Sequence, residues 1–349
     1  MTSRHLLVLL ALASVPACTG QTLDAGYTHA PGVTRATVGA MIDAATMDDS
    51  YLYFTCEDGW VYRLLKAGTA PPEKIAPAPV MGSNYTSGIA VDATNVYWTA
   101  EGAGAGGAVL RAPKGGGAAV VIASGQTHPG GIAVDADNVY WAEGGSVVAG
   151  NPASNDDGMV GMYGDGTIRA LSKSSGTVTA LASVLTAPDA VTIDDVRVFW
   201  HDQYGIRSVA KTGGALSTVS GSVAPFKSTN LAVADGRLTW ASNQGSWSIE
   251  SAATAGGAPV TLASGIAAPA GIVTDGSSAY WSDAGGSSAS ALHGVPLAGG
   301  ATSTLWPADD PGTAQDHEAL LLLSDASAFY SIEYWASSTL TVEIRVLPR

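Results

Sequence analysis

Short apolar runs broken by polar turns recur along this chain at a near-fixed interval. The stretch GIAVDATNVYWTAEG from Gly88 to Gly102 returns 43 residues later as GIAVDADNVYWAEGG, from Gly131 to Gly145. In both, four small or aliphatic residues lead to an aspartate, a polar turn follows, and Val-Tyr-Trp restores the apolar pattern. That order predicts a strand, a tight turn whose side chains bond nearby backbone, and a second strand. With an aspartate followed about six residues later by an aromatic as the marker, copies stand at Asp48/Phe54, Asp92/Trp98, Asp135/Trp141, Asp194/Trp200, Asp235/Trp240, Asp275/Trp281 and, with the aromatic lost, Asp325/Ser331. The steps between aspartates are 44, 43, 59, 41, 40 and 50 residues, the spacing of solenoids and propellers.

Each copy continues the same way. A third strand carries arginine, as in Val109-Leu110-Arg111 and Thr167-Ile168-Arg169; a glycine-rich turn follows, as in Lys114-Gly115-Gly116-Gly117 and Lys211-Thr212-Gly213-Gly214; a fourth strand such as Val120 to Ala123 completes the unit. Four short antiparallel strands per unit make a propeller blade, and radial repetition protects the sheet edges. The fold expected is therefore all-β, a β-propeller of seven blades. The last copy ends after its third strand, so the β-prone stretch Val33-Thr34-Arg35-Ala36-Thr37-Val38 is expected to supply the missing outer strand and close the ring. Six blades with a degenerate appendage is the alternative.

Composition agrees with short, turn-rich strands: 43 Gly, only 4 Phe, 46% apolar and 13% charged residues. A formal net charge of −14 excludes nucleic acid as the expected partner, because it is bound through clustered Lys and Arg. A small molecule or a protein remains, and a monomer is expected. The N-terminus, MTSRHLLVLLALASVPACTGQ, has the layout of a secretory signal: Arg4, an apolar run from Leu6 to Val15, then small residues. Residues 1–17 read as a signal peptide, 18–32 as a tether and 33–349 as a single propeller domain. Val15-Pro16-Ala17-Cys18 resembles a bacterial lipobox, which makes Cys18 a candidate lipidation site and the chain an exported outer membrane lipoprotein, periplasmic or extracellular. That anchor would be its one link to a membrane. The alternative is an unmodified Cys18 able to bridge Cys56.

Val96 to Glu101, VYWTAE, and Tyr280-Trp281-Ser282-Asp283 resemble the YWTD repeat of low-density-lipoprotein-receptor propellers over roughly residues 45 to 335. The resemblance implies a propeller in which the motif aspartate ties neighbouring blades together rather than binding ligand. Two departures stand out: that family closes six blades against the seven markers here, and the fourth motif position is often shifted. More distantly, the chain is similar to gluconolactonases and streptogramin lyases, whose sites use a divalent metal at one end of the channel.

Connections after the second strand and those entering the first must open on one face of the disc, here called upper. Just past the aromatic marker lie Glu57, Glu101, Glu143, Asp202, Asn243 and Asp283. Oxygen ligands around a channel mouth suit a hard cation such as Ca²⁺, with Glu143, Asp202 and Asp283 the candidate metal ligands; the alternative is that these acids cap backbone amides at blade junctions. His128, His201 and His317 belong to the same face, His317 between Asp316 and Glu318, and any of the three is a candidate general base or a solvated loop histidine. An insertion from Gly144 to Gly166 and the acidic approach from Ala308 to Glu318 also open there; Asn155, Asp156, Asp157 and Asp165 are oxygen donors without the EF-hand order. On the opposite, lower face, Lys66, Lys114, Lys173 and Lys211 follow the third strands, where they are expected to be solvated and to deter sheet association.

No nucleophile elbow, phosphate loop or paired-cysteine site occurs. Two readings follow. The leading one is a non-enzymatic binding propeller that uses its acidic upper face. The alternative is a metal-dependent lyase or hydrolase with His317 or His128 as base.

Overall fold

The computed structural model describes residues 33–349 except 39, 68–69, 79–87, 103–105, 147–163, 222–230, 244, 284–290, 307–316 and 337–339. The proposed signal peptide, the tether with Cys18, and Asn155, Asp156, Asp157 and Asp316 lie outside the described residues.

Seven four-stranded antiparallel sheets form the ring. β1 (Val33–Val38) precedes the first blade, which is β2 (Ile42–Met47), β3 (Tyr51–Cys56), β4 (Trp60–Leu65) and β5 (Glu73–Pro77). The second is β6 (Gly88–Val91), β7 (Asn95–Ala100), β8 (Gly107–Pro113) and β9 (Val120–Gln126). The third is β10 (Pro129–Val134), β11 (Asn138–Glu143), β12 (Gly166–Ser172) and β13 (Val178–Leu185). The fourth is β14 (Asp189–Ile193), β15 (Arg197–Asp202), β16 (Gly205–Ala210) and β17 (Ser217–Ser220). The fifth is β18 (Leu231–Ala234), β19 (Arg237–Asn243), β20 (Trp247–Ala253) and β21 (Val260–Ile266). The sixth is β22 (Pro269–Thr274), β23 (Ser278–Asp283), β24 (Leu292–Pro296) and β25 (Ser303–Trp306). The seventh, β26 (His317–Ser324), β27 (Ala328–Ala336) and β28 (Leu340–Pro348), takes β1 as its outer strand, in the order β1-β28-β27-β26. The closure expected from Val33 to Val38 is thus observed, and the six-blade alternative is not.

The motif aspartate forms the turn between the first two strands. Asp92 Oδ1 accepts from the amides of Thr94 and Asn95, both at 2.8 Å, and Asp135, Asp194, Asp275 and Asp325 repeat the pattern. Blade 5 departs from it. There Asp235-Gly236 make a two-residue hairpin with φ of 46° and 71°, the left-handed pair that an Asp-Gly sequence adopts readily.

The Tyr-Trp pair feeds two junctions at once, because successive strand residues point to opposite sheet faces. Trp98 packs against Tyr53 and Val61 of blade 1, whereas Tyr97 joins Val139 and Trp141 of blade 3. The same logic yields one apolar cluster per junction around the ring. Trp98, Trp141, Trp200, Trp240 and Trp281 are almost fully buried, each removing on the order of 200 Å² from water, worth roughly 5 kcal/mol before entropy is counted.

The lower-face lysines are not solvated. Each reaches back to the preceding blade and pairs with its motif aspartate: Lys66 with Asp325 at 2.7 Å, Lys173 with Asp92 at 2.6 Å, Lys211 with Asp135 at 2.8 Å, and Lys114 with Asp48. Arg349 does the same to Asp275 at 2.6 Å. Each aspartate also accepts a tyrosine hydroxyl from its own blade, and the cation lies over that ring: Tyr53, Tyr97, Tyr140, Tyr280 or Tyr330. The expectation of solvated lysines is therefore corrected. The physical reason is that ring closure places each third-strand turn against the first turn of the neighbouring blade, where a half-buried carboxylate needs a cation.

Candidate functional site

The constant and variable connections separate by face. On the lower face, first and second strands are joined by two or three residues and third and fourth by five to seven. On the upper face the connections range from two residues, 203–204, to 22, 144–165. Length variation tolerated on one side alone marks that side as the one free of scaffold duties.

The acids placed there fall into two sets, which the sequence pattern runs together. In blades 3, 4 and 6, Glu143, Asp202 and Asp283 stand two residues beyond the marker aromatic, on the strand and on the same sheet face as that aromatic. The residue paired opposite the aromatic is Arg169, Arg207 and His293 respectively. Each acid binds that residue diagonally: Glu143 with Arg169, Asp202 with Arg207 at 3.2 Å, Asp283 with His293 Nε2 at 3.0 Å. Blade 7 contains a fourth example, Glu333 with Arg345 at 3.0 Å, which the sequence reading missed. Its signal was present: Glu333 stands two residues beyond Ser331, the position of the lost aromatic.

Glu57, Glu101 and Asn243 instead stand three residues beyond the marker, Glu57 and Glu101 just past the ends of β3 and β7 and Asn243 as the last residue of β19. Glu57 and Asn243 are exposed and Glu101 is half-buried. Asn243 Oδ1 accepts from the Gly245 amide at 3.2 Å, shaping the turn it begins.

The paired acids also order the local backbone. Glu143 accepts from the Thr127 amide at 3.2 Å and the Thr167 hydroxyl at 2.7 Å, tying the connection into blade 3 to the base of the long insertion. Asp202 has no exposed side-chain surface; it accepts from the Tyr204 amide at 2.9 Å and from Trp200 Nε1 at 3.3 Å. Asp283 shares its histidine with Thr304, whose hydroxyl lies 3.3 Å from His293 Nδ1, and the imidazole stacks on Trp281 with centroids 5.4 Å apart.

His128 has φ of 50°, and its Nδ1 donates to the Gly145 carbonyl at 3.0 Å, while its own carbonyl accepts from the Gly144 amide at 2.8 Å. It staples the stem of the insertion. Asp165 secures the other side of that stem, accepting from the Ser146 amide and, at 3.0 Å, from its hydroxyl; these bonds hold its carboxyl below the usual range. His201 is half-buried on β15, its backbone paired with Asp189 on one side and Ile206 on the other. His317 and Glu318 begin β26, and their backbones pair with Trp335 and Tyr334. Cys56, 1% exposed, closes β3 within the junction between blades 7 and 1.

What this arrangement can do chemically follows from its charges. The candidate ligands Glu143, Asp202 and Asp283 sit in separate blades, the first two each beside an arginine and the third beside His293, so a divalent ion at any of them must displace a partner already bound. Among the described residues, no three His, Cys, Asp or Glu side chains gather where they would hold a metal ion.

No family model matches the chain, and no curated protein sequence matches it either. Its likeness is to solved propellers. An oligogalacturonate lyase in complex with manganese is 13% identical, with a TM-score of 0.60 over 90% of this chain and 98% of that one. The WD40 β-propeller domain of Doa1 is 11% identical, with a TM-score of 0.58 over 90% and 97%. BamB from Moraxella catarrhalis is 15% identical, with a TM-score of 0.50 over 95% and 98%. At these identities the likeness shows the β-propeller fold and nothing finer.

Proposed function

We propose that this chain is a non-enzymatic binding propeller that engages a small molecule or a protein through its upper face. The observation that supports this most is the division of labour between faces: lower-face connections are short and clasped, whereas upper-face connections vary freely in length. Glu57, Glu101 and Asn243 lead into those connections and, with Asp316 and Glu318, are the proposed contacts; Glu143, Asp202 and Asp283 stiffen the platform behind them. The blades are read as YWTD-type. The leader's layout supports export to the cell envelope, with Cys18 as the lipid anchor and a monomer as the working form.

The second reading, a metal-dependent lyase or hydrolase, draws on the manganese-bound propeller among the similar folds. Its ring carboxylates would hold Ca²⁺ or another divalent ion, and His317, His128 or His201 would be the base. Metal analysis of the mature protein after exhaustive dialysis separates the two. We expect only substoichiometric metal and no thermal shift on adding Ca²⁺ or Mn²⁺. One equivalent of retained ion, released by Asp202→Asn with Asp283→Asn in a variant that stays folded, would replace the binding reading with the enzymatic one.

A further inference from the structure

The clasps leave one junction of the ring open. In every blade, the residue after the third strand donates its amide to a carbonyl in that blade's first turn, which fixes equivalent positions: Lys66, Lys114, Lys173, Lys211, Thr254, Leu297 and Arg349. The clasp tyrosine likewise has equivalents one residue before the marker, which read Tyr53, Tyr97, Tyr140, Phe199, Thr239, Tyr280 and Tyr330 around the ring. The two series change together. Where blade 4 has Phe199, blade 5 has Thr254; where blade 5 has Thr239, blade 6 has Leu297.

These two exceptions are not alike. At the junction of blades 5 and 6, Leu297 is buried and packs with Ala241, Ile249 and Trp281, so an apolar contact stands where the clasp would be. At the junction of blades 4 and 5 nothing replaces it among the described residues. Thr254 is half-buried and outside the apolar cluster there, which consists of Phe199, Ile206, Leu238, Trp240 and Ala252. Asp194 keeps its turn bonds at 2.8 and 2.7 Å but has no cation among the described residues. Glu250 pairs opposite Trp240 and so faces blade 4, at the position where blades 3 and 4 carry Arg169 and Arg207. The junction thus gains a second carboxylate while losing its lysine. The inner strand of blade 5, β18, has no buried residue, whereas β6, β10 and β22 each bury three or more.

We propose that the ring parts between its fourth and fifth blades, and that this seam is its weakest junction. The inference is independent of what the upper face binds. It runs against the simplest expectation, which is that a ring closed by the non-covalent pairing of β1 and β28 should open there. Blade 7, however, is clasped on both sides, by Lys66 to Asp325 and by Arg349 to Asp275, and carries the buried Glu333–Arg345 pair.

Thiol accessibility tests the proposal. Ala112 and Ala252 occupy equivalent third-strand positions, paired with Val96 and Leu238, and are 1% and 2% exposed at a clasped junction and at the seam. Native Cys56 reports on the closing junction from within the same molecule. Ala112→Cys and Ala252→Cys proteins are labelled with iodoacetamide under native conditions, and each thiol is followed by peptide mass spectrometry. The thiol introduced at 252 should react roughly tenfold or more faster than the one at 112 and than Cys56. Adding Phe199→Tyr with Thr254→Lys, which offers Asp194 a clasp, should slow it roughly tenfold. Equal rates at 252, 112 and Cys56, or fastest labelling at Cys56, would overturn the seam. If the clasp-building variant does not fold, Tyr140→Phe with Lys211→Thr provides the converse test. It should speed labelling of a thiol placed at Val209, the equivalent position of blade 4, which pairs with Val198 and is buried against blade 3, and an unchanged rate would count against the proposal.

Discussion

Removing one clasp cation measures what holds the ring together. In Lys173→Met the aliphatic stem over Tyr97 is kept, while the ammonium, 2.6 Å from Asp92 and 5.2 Å from the tyrosine centroid, is lost. Both partners are mostly shielded, with side-chain exposures of 17% and 16%, so the contact belongs with charge-assisted bonds of about 1.5–3 kcal/mol rather than with surface pairs. The cation–π contact adds about 0.5–1 kcal/mol. Two effects hold the cost down. Asp92 retains the amides of Thr94 and Asn95 and the Tyr97 hydroxyl, each at 2.8 Å, and its partial exposure admits water to the vacated lone pair. The expected loss is therefore about 2 kcal/mol, below the roughly 3–5 kcal/mol of an orphaned buried charge. Urea unfolding of wild type, Lys173→Met, Asp92→Asn and the double variant gives the coupling energy directly. By contrast Arg63 and Glu73, with the glutamate side chain 58% exposed, should couple by less than about 1 kcal/mol. A Lys173–Asp92 coupling no larger than that of Arg63–Glu73 would refute the reasoning.

Two further outcomes are expected. Arg345→Met should cost about 3 kcal/mol in urea unfolding, because it leaves Glu333, 4% exposed, without its cation, and Arg345→Met with Glu333→Leu should recover most of the loss. Acid should weaken the whole ring: burial alone would raise the clasp carboxyls, but the clasp cations (Arg349 for Asp275, lysines for the rest), the backbone amides and the neighbouring hydroxyls outweigh it, holding Asp48 down to about 2 and Asp92, Asp135, Asp275 and Asp325 below the usual range. A carboxyl depressed in the folded state contributes its stability above the unfolded value of about 3.9 and loses it as pH falls toward 2, so the urea midpoint should hold from pH 7 to about 5 and fall steeply below about 4, with a shallower fall in Lys173→Met.

The fold was legible because a blade is local. Strand, Asx turn, strand and glycine turn are written within about 40 residues, and the interval then repeats often enough to count blades. Even the closure by Val33 to Val38 was readable, since a fourth strand was missing from one end and unclaimed at the other. The site was less legible, for two physical reasons. One is parity: Glu143 and Glu101 look alike beside their tryptophans, yet a single residue of offset decides whether the acid stays on the sheet facing a cation or leaves with the turn. The other is distance along the chain. Lys173 meets a carboxylate 81 residues away and Lys66 one 259 residues away, and only the geometry of a closed ring makes such pairs neighbours.

Seven copies in one chain amount to seven trials of the same junction, and the exceptions carry more information than the agreements. An acid two residues past the marker occurs in blades 3, 4, 6 and 7, and each of those blades has Arg or His opposite the marker; blades 1, 2 and 5 have Cys56, Ala100 and Ser242 at that position and place Tyr62, Leu110 and Glu250 opposite the marker. Lysine and tyrosine are gained and lost together in the same way. In these two sets a half-buried charge and its partner are therefore gained and lost together, as desolvation requires. Glu250 and Asp194 break that rule at one junction. A scaffold clasped below and within its blades leaves the upper connections free to differ in length, and the seam proposed between blades 4 and 5 is where, among the described residues, the clasp is lost with no apolar contact in its place.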